Sequence, residues 1–384
     1  VAVEVDRRTL IGLRILAQGL LPAHRISEAT GAEAVTQVAA AFGAHQGQDL
    51  PGVVASLALR TPGGTDAVTA AFTAGTLVRG YPMRGTVFAV AAADLRWMTQ
   101  LCAQPAIRAA IARRPALGLD ESDVGRAQEI LLAVTEGRSR PGGDAETGSG
   151  VPRADLFEAW NAAGLDPTGG RGYHLLVHLL STGAAAYGPW TGTDTAVVAA
   201  ESWLPDGSSL EDRFDGDRTA ATAALLLRYL TSHGPATLRD FAWWTKLPLT
   251  LIRAALPLVE DRLETCRIPG TDEPAHLRPG LLDEYEAAQK DAMRELLLPG
   301  FDELMLGYPD RLALMDQDAH DALVPGNNGV FKRSAIRRGQ VVGLWTRKGP
   351  AGRRTLRLDP VAAISPAQRK RFETLFAAFP YTAP

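Results

Sequence analysis

PATLRDFAWWTKLPLTLIRAALPLVEDRL, residues 235–263, carries the pattern on which the fold reading turns. Two stretches with helical spacing, 235–247 and 251–263, flank a Pro-Leu-Thr break, and the turn-rich ETCRIPGTDEPAHLRPG (264–280) follows. Helix, tight turn, helix and β-hairpin is the winged-helix plan. The same order stands earlier in the chain. PRADLFEAWNAAG (151–163) begins at a proline, has early acids and ends in LDPTGG; RGYHLLVHLLSTG (171–183) and the strand-like AAAYGPW come next. Nearer the start, PGVVASLALRT and DAVTAAFTAGTLVRG lead into the alternating YPMRGTVFAVA after a Tyr-Pro turn. Three such units form an internal array of weakly similar repeats.

Two regions depart from this plan. GRSRPGGDAETGSG (137–150) has no apolar anchor and reads as a flexible linker between units. From about residue 299, short alternating segments with glycine and proline turns run to the amphipathic SPAQRKRFETLFAAF (365–379), predicting a small β-barrel or curled sheet closed by a helix. The expected fold class is therefore α+β, mainly α, with tandem winged-helix units and a small C-terminal β-barrel. The expected boundaries are 1–136 for the first unit, 137–150 for the linker, 151–215 and 216–297 for the second and third units, and 298–384 for the basic domain.

With 384 residues the chain exceeds a single typical core. A formal charge of -3 excludes a uniformly basic nucleic-acid binder but conceals local fields. Cys102 and Cys266 match no zinc or CxxC spacing and read as buried small hydrophobes in a reducing cytoplasm. The first twenty residues carry charges where a signal peptide needs its apolar run. No apolar stretch approaches the roughly 18–20 residues of a membrane span, so a soluble cytoplasmic protein is expected. Charge concentrates late: VFKRSAIRRGQVVGLWTRKGPAGRRTLRL (330–358) has nine basic residues and no acid. A solvated strand face would account for some such run. One this long, single-signed and interleaved with Phe331 and Trp345 fits a polyanion better, because each phosphate neutralised releases counterions. Arginine predominates, which suits bidentate phosphate contact. The acidic balance lies in segments such as 201–217, expected to face away from the ligand.

AHQGQD (44–49) places two glutamines around a glycine just before a helix begun by Pro51, with Asp49 at the N-cap position. On a helix Gln46 and Gln48 would diverge by roughly 200°; in an extended turn residues i and i+2 share a face. Their carboxamides both donate and accept hydrogen bonds, so they can orient a water or complement a sugar that is becoming an oxocarbenium ion. Ordinary glycosidases need two carboxylates because their leaving group must be protonated. A purine alkylated on a ring nitrogen is already cationic and leaves neutral, so positioning and electrostatics suffice. The residues equally allow a polar turn that bridges two helices.

The sequence resembles the AlkZ-like family of winged-helix DNA glycosylases. The residues that carry the likeness are HQGQD (45–49), YPMRGTVFAV (81–90), HLLSTGAAAYGP (178–189), LRDFAWWTKLPL (238–249), LLPGFDELMLGYPDR (297–311) and VPGNNGVF (324–331), spread over essentially the whole chain. Gln-x-Gln alone is a weak motif; the Trp243-Trp244 pair and the Pro-Gly-Phe-Asp-Glu block are specific. The resemblance implies excision of bulky or crosslinked N7-alkylated purines from double-stranded DNA, in producing organisms often as self-resistance to a genotoxic natural product. It makes Gln46 and Gln48 the catalytic pair. No lysine lies in the motif, which implies monofunctional hydrolysis to an abasic site, by a monomer without cofactor or metal. The expected DNA contacts are Arg84, Asn327, Asn328, Lys332, Arg333, Arg337, Arg338, Arg347 and Lys348. Two positions depart from the family pattern: Gly47 where relatives tend to be aliphatic, expected to loosen the turn or admit a bulkier adduct, and Phe88 where many have histidine.

Other candidates carry less. His174 and His178 have the i, i+4 spacing of a helical metal pair, yet no third ligand is evident and packed helix histidines are expected. His45 could touch substrate or end a helix, and Asp49 could serve as a carboxylate base or only as a cap. Trp243 and Trp244 could stack on bases, with at least one of them expected in the core. The second helices of the units, LIRAALPLVEDRL and YHLLVHLLSTG, are too apolar to read base edges, so they are expected to form a scaffold that cradles the DNA backbone. The rival reading is a non-catalytic winged-helix regulator or a lesion-sequestering binder.

Overall fold

The structure is a computed structural model that describes residues 3–138, 150–350 and 352–381. Most of the expected linker, residues 139–149, lies outside the described residues. The strands are, in chain order, β1 (Val3–Glu4), β2 (His45–Gln46), β3 (Leu77–Met83), β4 (Thr86–Ala91), β5 (Ala185–Trp190), β6 (Thr195–Ala199), β7 (Glu264–Arg267), β8 (Ala275–Leu277), β9 (Leu296–Leu298), β10 (Ser334–Arg337), β11 (Gln340–Lys348) and β12 (Thr355–Pro360). Helices make up most of the rest, giving a mixed α+β fold dominated by helix. Among the described residues no helix is long and apolar enough to cross a membrane.

Each of the three stretches singled out in the sequence contains helix, connection, helix and β-hairpin. Helices Leu50–Arg60 and Gly64–Thr73 precede β3–β4; Arg153–Ala162 and Arg171–Thr182 precede β5–β6; Leu238–Thr245 and Leu249–Ala255 precede β7–β8. Local chemistry sets the third. Thr237 and Asp240 form a reciprocal capping box at the start of the first helix, Lys246 ends it in the left-handed region at φ 64°, and Pro248 leads into the second. Two orphan amides at the helix start are thereby satisfied, and the chain is turned within a few residues.

The units do not stand apart. The hairpins of the first two join in one five-stranded sheet, ordered β2-β4-β3-β5-β6, with Arg79 of β3 opposite Tyr187 of β5. Val5 and the helix Arg7–Ala17 bury their apolar residues with Cys266, Leu277 and Tyr285, and β1 pairs in parallel with β7. The segment from Val3 to Ala17 is thus packed into the third unit. Both cysteines are free and buried, as their spacing suggested.

The C-terminal domain corrects one expectation. Its strands form an open four-stranded antiparallel sheet, ordered β12-β11-β10-β9, rather than a closed barrel. Closure requires enough tilted strands for the last to meet the first, and here the helix Pro366–Ala377 covers the apolar face instead. Phe372 and Phe376 of that helix are buried in one cluster with Trp345, Leu297 and Ala55. Alternation in the sequence specified the strands and left closure undetermined. Ala55 belongs to helix Leu50–Arg60, so this contact seats the sheet against the helix that follows the glutamine motif.

Candidate functional site

Residues 43–49 connect helix Gly31–Phe42 to helix Leu50–Arg60, so both glutamines lie outside helices as read from the sequence. Gly43 closes the first helix at φ 84°, a conformation glycine adopts without steric penalty. The chain then runs as β2, with His45 opposite Ala89 and Gln46 opposite Phe88 of β4. Three backbone groups of the motif are pinned by three different elements. The Gln46 N–H donates to Glu303 Oε1 at 2.7 Å, the Gly47 N–H donates to the Val87 carbonyl at 2.9 Å, and the Gly47 carbonyl accepts from Arg79 Nη1 at 3.3 Å. Arg79 is itself buried and donates to Thr195 Oγ1 at 2.6 Å and Asp194 Oδ1 at 3.0 Å, tying the motif to the second hairpin. A Cβ at Gly47 would sit 3.1 Å from Ala89 N and Phe88 C. The missing side chain therefore lets the turn press on β4; it faces the strand.

The two side chains occupy different depths. Gln48 is exposed and, with Asp49, lines a cleft of about 710 Å³ whose other walls include Gly300, Phe301, Asn328, Phe331, Lys332, Arg333, Trp345 and Arg357. Gln46 is 8% exposed, and its Oε1 is buried without a hydrogen-bond partner. β2 ends at Gln46 and the chain bends at Gln48, so the shared face that two-residue spacing gives in a strand does not persist. An unsatisfied buried carbonyl costs about 1–3 kcal/mol, and a water or ligand donor would relieve it.

Asp49 occupies the N-cap position of helix Leu50–Arg60, where its side chain completes no well-formed capping hydrogen bond but lies near the Gly52 amide. Burial raises its pKa, against the pull of Arg333, the Gly52 amide and Arg347. It is a half-buried carboxyl at the cleft beside Gln48, flanked by two arginines.

The Pro-Gly-Phe-Asp-Glu block supports this turn from beneath. Phe301 is held at φ 59° and meets Phe331 edge-on, with ring centroids 5.8 Å apart. Asp302 is fully buried and takes both Nη groups of Arg60, at 2.8 and 2.9 Å, plus the Ser56 hydroxyl at 2.7 Å. Burial alone would raise the Asp302 pKa; the Arg60 charge and hydrogen bonds, the Leu304 amide and Ser56 outweigh it and lower the pKa. Glu303, 1% exposed, holds the Gln46 amide and lies 3.5 Å from His233 Nε2. Arg79, Arg60, Asp302 and Glu303 were not singled out in the sequence as site residues. Their partners lie far off in the chain, so only the Pro-Gly-Phe-Asp-Glu motif pointed to the region.

The expected DNA contacts fall into groups. Lys332, Arg333 and Asn328 line the cleft, and Arg347 lies close enough to act on Asp49 while its guanidinium covers Tyr381 at 4.4 Å. Asn327 precedes Asn328 at φ 51°, and Lys348 ends β11 exposed. Arg337 and Arg338 flank the opposite, hairpin end of β10. Arg337 faces Glu295 at 3.7 Å and the Arg338 N–H donates to the Met293 carbonyl at 3.2 Å. The basic run is thus divided between two ends of a sheet. Arg84 stands on the β3–β4 turn with its guanidinium 4.4 Å from the Trp243 ring centroid.

Among the described residues no three His, Cys, Asp or Glu side chains converge as a metal would need. His174 and His178 are buried, and His178 Nδ1 lies 3.3 Å from Arg114 Nη2; burial and Arg114 lower the pKa of both. His45 is 1% exposed and stacks on Phe42 at 4.3 Å, and burial holds its pKa well below the usual range. Trp244 is in the core, whereas Trp243 is partly exposed.

Comparisons with known proteins agree with this architecture. No curated protein matches the chain. In fold the chain is similar to the Streptomyces sahachiroi DNA glycosylase AlkZ, at 17% sequence identity and a TM-score of 0.69, over 99% of this chain and 98% of that one. The family model described as "DNA glycosylase AlkZ-like" matches residues 39–379, a span that includes the Gln-Gly-Gln turn, Asp302–Glu303 and the cationic cleft. The chain belongs to the AlkZ-like family of DNA glycosylases.

Proposed function

We propose that this chain is a monofunctional glycosylase that hydrolyses the N-glycosidic bond of cationic N7-alkylpurines, bulky or crosslinked ones included, in double-stranded DNA. Its three helix–helix–hairpin units act as winged helices that cradle the duplex, and the basic C-terminal sheet holds the phosphates. The observation that carries the reading is the buried, unpartnered Gln46 Oε1 two residues before Gln48 and Asp49, which line a cleft with Lys332 and Arg333. In the reaction the bond between C1′ and N9 breaks, and its electron pair neutralises the alkylated ring, so no acid is needed. Gln48 faces the sugar as positive charge develops there. Gln46 Oε1 accepts a hydrogen bond from the water whose oxygen bonds to C1′. The backbone pinned at Gln46 and Gly47 sets the positions from which the two side chains reach before substrate arrives, which is where preorganisation lowers a barrier.

The position of Asp49 favours a second role within the same site. Its carboxyl has a raised pKa and stands beside Gln48 at the cleft, so it is placed to take the proton that the attacking water releases. The test is single-turnover incubation with duplex carrying a bulky N7-alkylguanine, followed by cleavage at abasic sites. Wild type is compared with Gln46→Ala, Gln48→Ala and Asp49→Asn at matched DNA occupancy. Base release by wild type and loss in the variants supports the reading. Unchanged release in both glutamine variants would sink it, and tight binding without release by any protein would leave a lesion-sequestering binder.

A further inference from the structure

Trp243 and Trp244 are adjacent on helix Leu238–Thr245 and part company in the fold. Trp244 is fully buried, 5.1 Å from Tyr229 and 6.3 Å from Phe241 between ring centroids. Trp243 is only partly buried, and cations gather around its indole. The Arg84 guanidinium lies 4.4 Å from the ring centroid, the Lys246 ammonium 5.5 Å and the Arg311 guanidinium 5.5 Å. They come from three places far apart in sequence: the β3–β4 turn, the end of the tryptophan helix, and the segment after Tyr308. Arg84 and Lys246 also hold left-handed backbones, at φ 61° and 64°. Side-chain-bearing residues are strained there, and such strain gathers at functional sites.

The charges are not balanced locally. Among the described residues none of the three forms a salt bridge; Arg311 Nε donates to the Met305 carbonyl at 3.1 Å, and Glu303 acts on Arg84 only through space. Burial first, and then the neighbouring Arg84, press against the protonated states of Lys246 and Arg311. Like charges brought together and partly dried are unfavourable unless something offsets them. Cation–π contact with one indole offsets part, and an anion would complete the set. Because cations already line the ring, the indole is poorly available for stacking on a base, and a phosphate fits better. Arg311 also covers Phe331 at 4.8 Å, and Phe331 lines the cleft that contains Gln48.

We propose that Trp243, Arg84, Lys246 and Arg311 form a phosphodiester-binding site that grips the DNA strand beside the cleft, separate from the basic wall at Lys332 and Arg333. This rests on the reading that the chain acts on DNA, though not on its catalytic mechanism. The test is therefore binding of an undamaged duplex as a function of salt, using full-length Lys246→Gln, Arg311→Gln, their double variant and Arg333→Gln. Each lost phosphate contact flattens the slope of log affinity against log salt by about 0.9. Raising salt from about 50 to 200 mM should therefore weaken the double variant roughly tenfold less than wild type. Lys246 is exposed, so Lys246→Gln keeps the test interpretable if Arg311→Gln impairs folding. A slope equal to wild type in Lys246→Gln and the double variant, with Arg333→Gln flattened, overturns the site and leaves the DNA reading standing. Equal slopes in all four overturn the site and the Arg333 contact together, and a wild type without salt-dependent binding overturns the DNA reading itself.

Discussion

Asp302 and Glu303 are consecutive and equally buried, but they border two regions built to opposite rules. On the Asp302 side, Arg60 gives both Nη groups to the carboxylate; Nη1 also reaches the Ser56 hydroxyl at 2.8 Å, and Nη2 reaches Gln18 Oε1 at 2.8 Å. Gln18 in turn donates to the Tyr308 hydroxyl at 3.2 Å. Apart from Arg60 Nε, the guanidinium is satisfied from within. On the Glu303 side, the carboxylate fixes the Gln46 backbone N–H while the side-chain Oε1 of Gln46 has no partner, and Gln48 and Asp49 open onto a cleft. One region has nearly completed its hydrogen bonds within the protein, and the other leaves a buried acceptor unpartnered next to side chains that open onto a cleft. The contrast separates support from site: a completed network gives rigidity, and an incomplete one beside it gives binding capacity.

Removing one partner from the completed side should have the largest effect. Asp302→Ala leaves Arg60 charged and uncompensated in the interior, with an expected loss of about 3–5 kcal/mol in urea unfolding. The pH dependence has a definite sign. The Asp302 pKa is depressed in the fold, so its contribution is present above the unfolded value near ~3.9 and is lost as pH falls through the folded one. Acid unfolding of wild type should show that loss, and Asp302→Ala should not.

On the incomplete side, Gln46→Ala should slow single-turnover base release by about 10²–10³-fold. Its urea midpoint should stay close to that of wild type. A large stability loss without a rate defect would erase the distinction between the two regions. Glu303→Gln lies between them. It keeps an acceptor for the Gln46 amide but removes the charge, so a moderate loss of about 1–3 kcal/mol is expected, with base release slowed less than in Gln46→Ala. If Asp49 takes the proton from the attacking water, the rate should fall as pH drops through its raised pKa, at a pH above that of an ordinary aspartate, and Asp49→Asn should abolish that limb. The smallest effects concern the divided basic run. Arg333→Gln should flatten the salt slope of DNA binding by about 0.9, whereas Arg337→Gln at the far end should leave it unchanged.

Several features were legible before the fold was known because they are written in short-range chemistry. The two-helix-and-hairpin order at 235–280, the location of Gln46 and Gln48 between helices and the burial of both cysteines follow from local spacing and turn residues. Closure of the C-terminal sheet was not legible, because alternation specifies strands and not how the first meets the last. The depth of the two glutamines was also hidden, because it depends on β2 ending at Gln46 against a strand some forty residues away.

The sequence by itself determined the elements, the family motifs and the sign of the charge at 330–358. Tertiary structure alone decided that Arg337 and Arg338 leave the cleft, that Arg84, Lys246 and Arg311 meet at Trp243, and that Glu303 and Arg79 both hold the Gln-Gly-Gln turn. The physical reason is range. Capping, turns and hydrophobic period act within a few residues, whereas hydrogen bonds and ion pairs between residues hundreds of positions apart exist only once packing has brought their elements together.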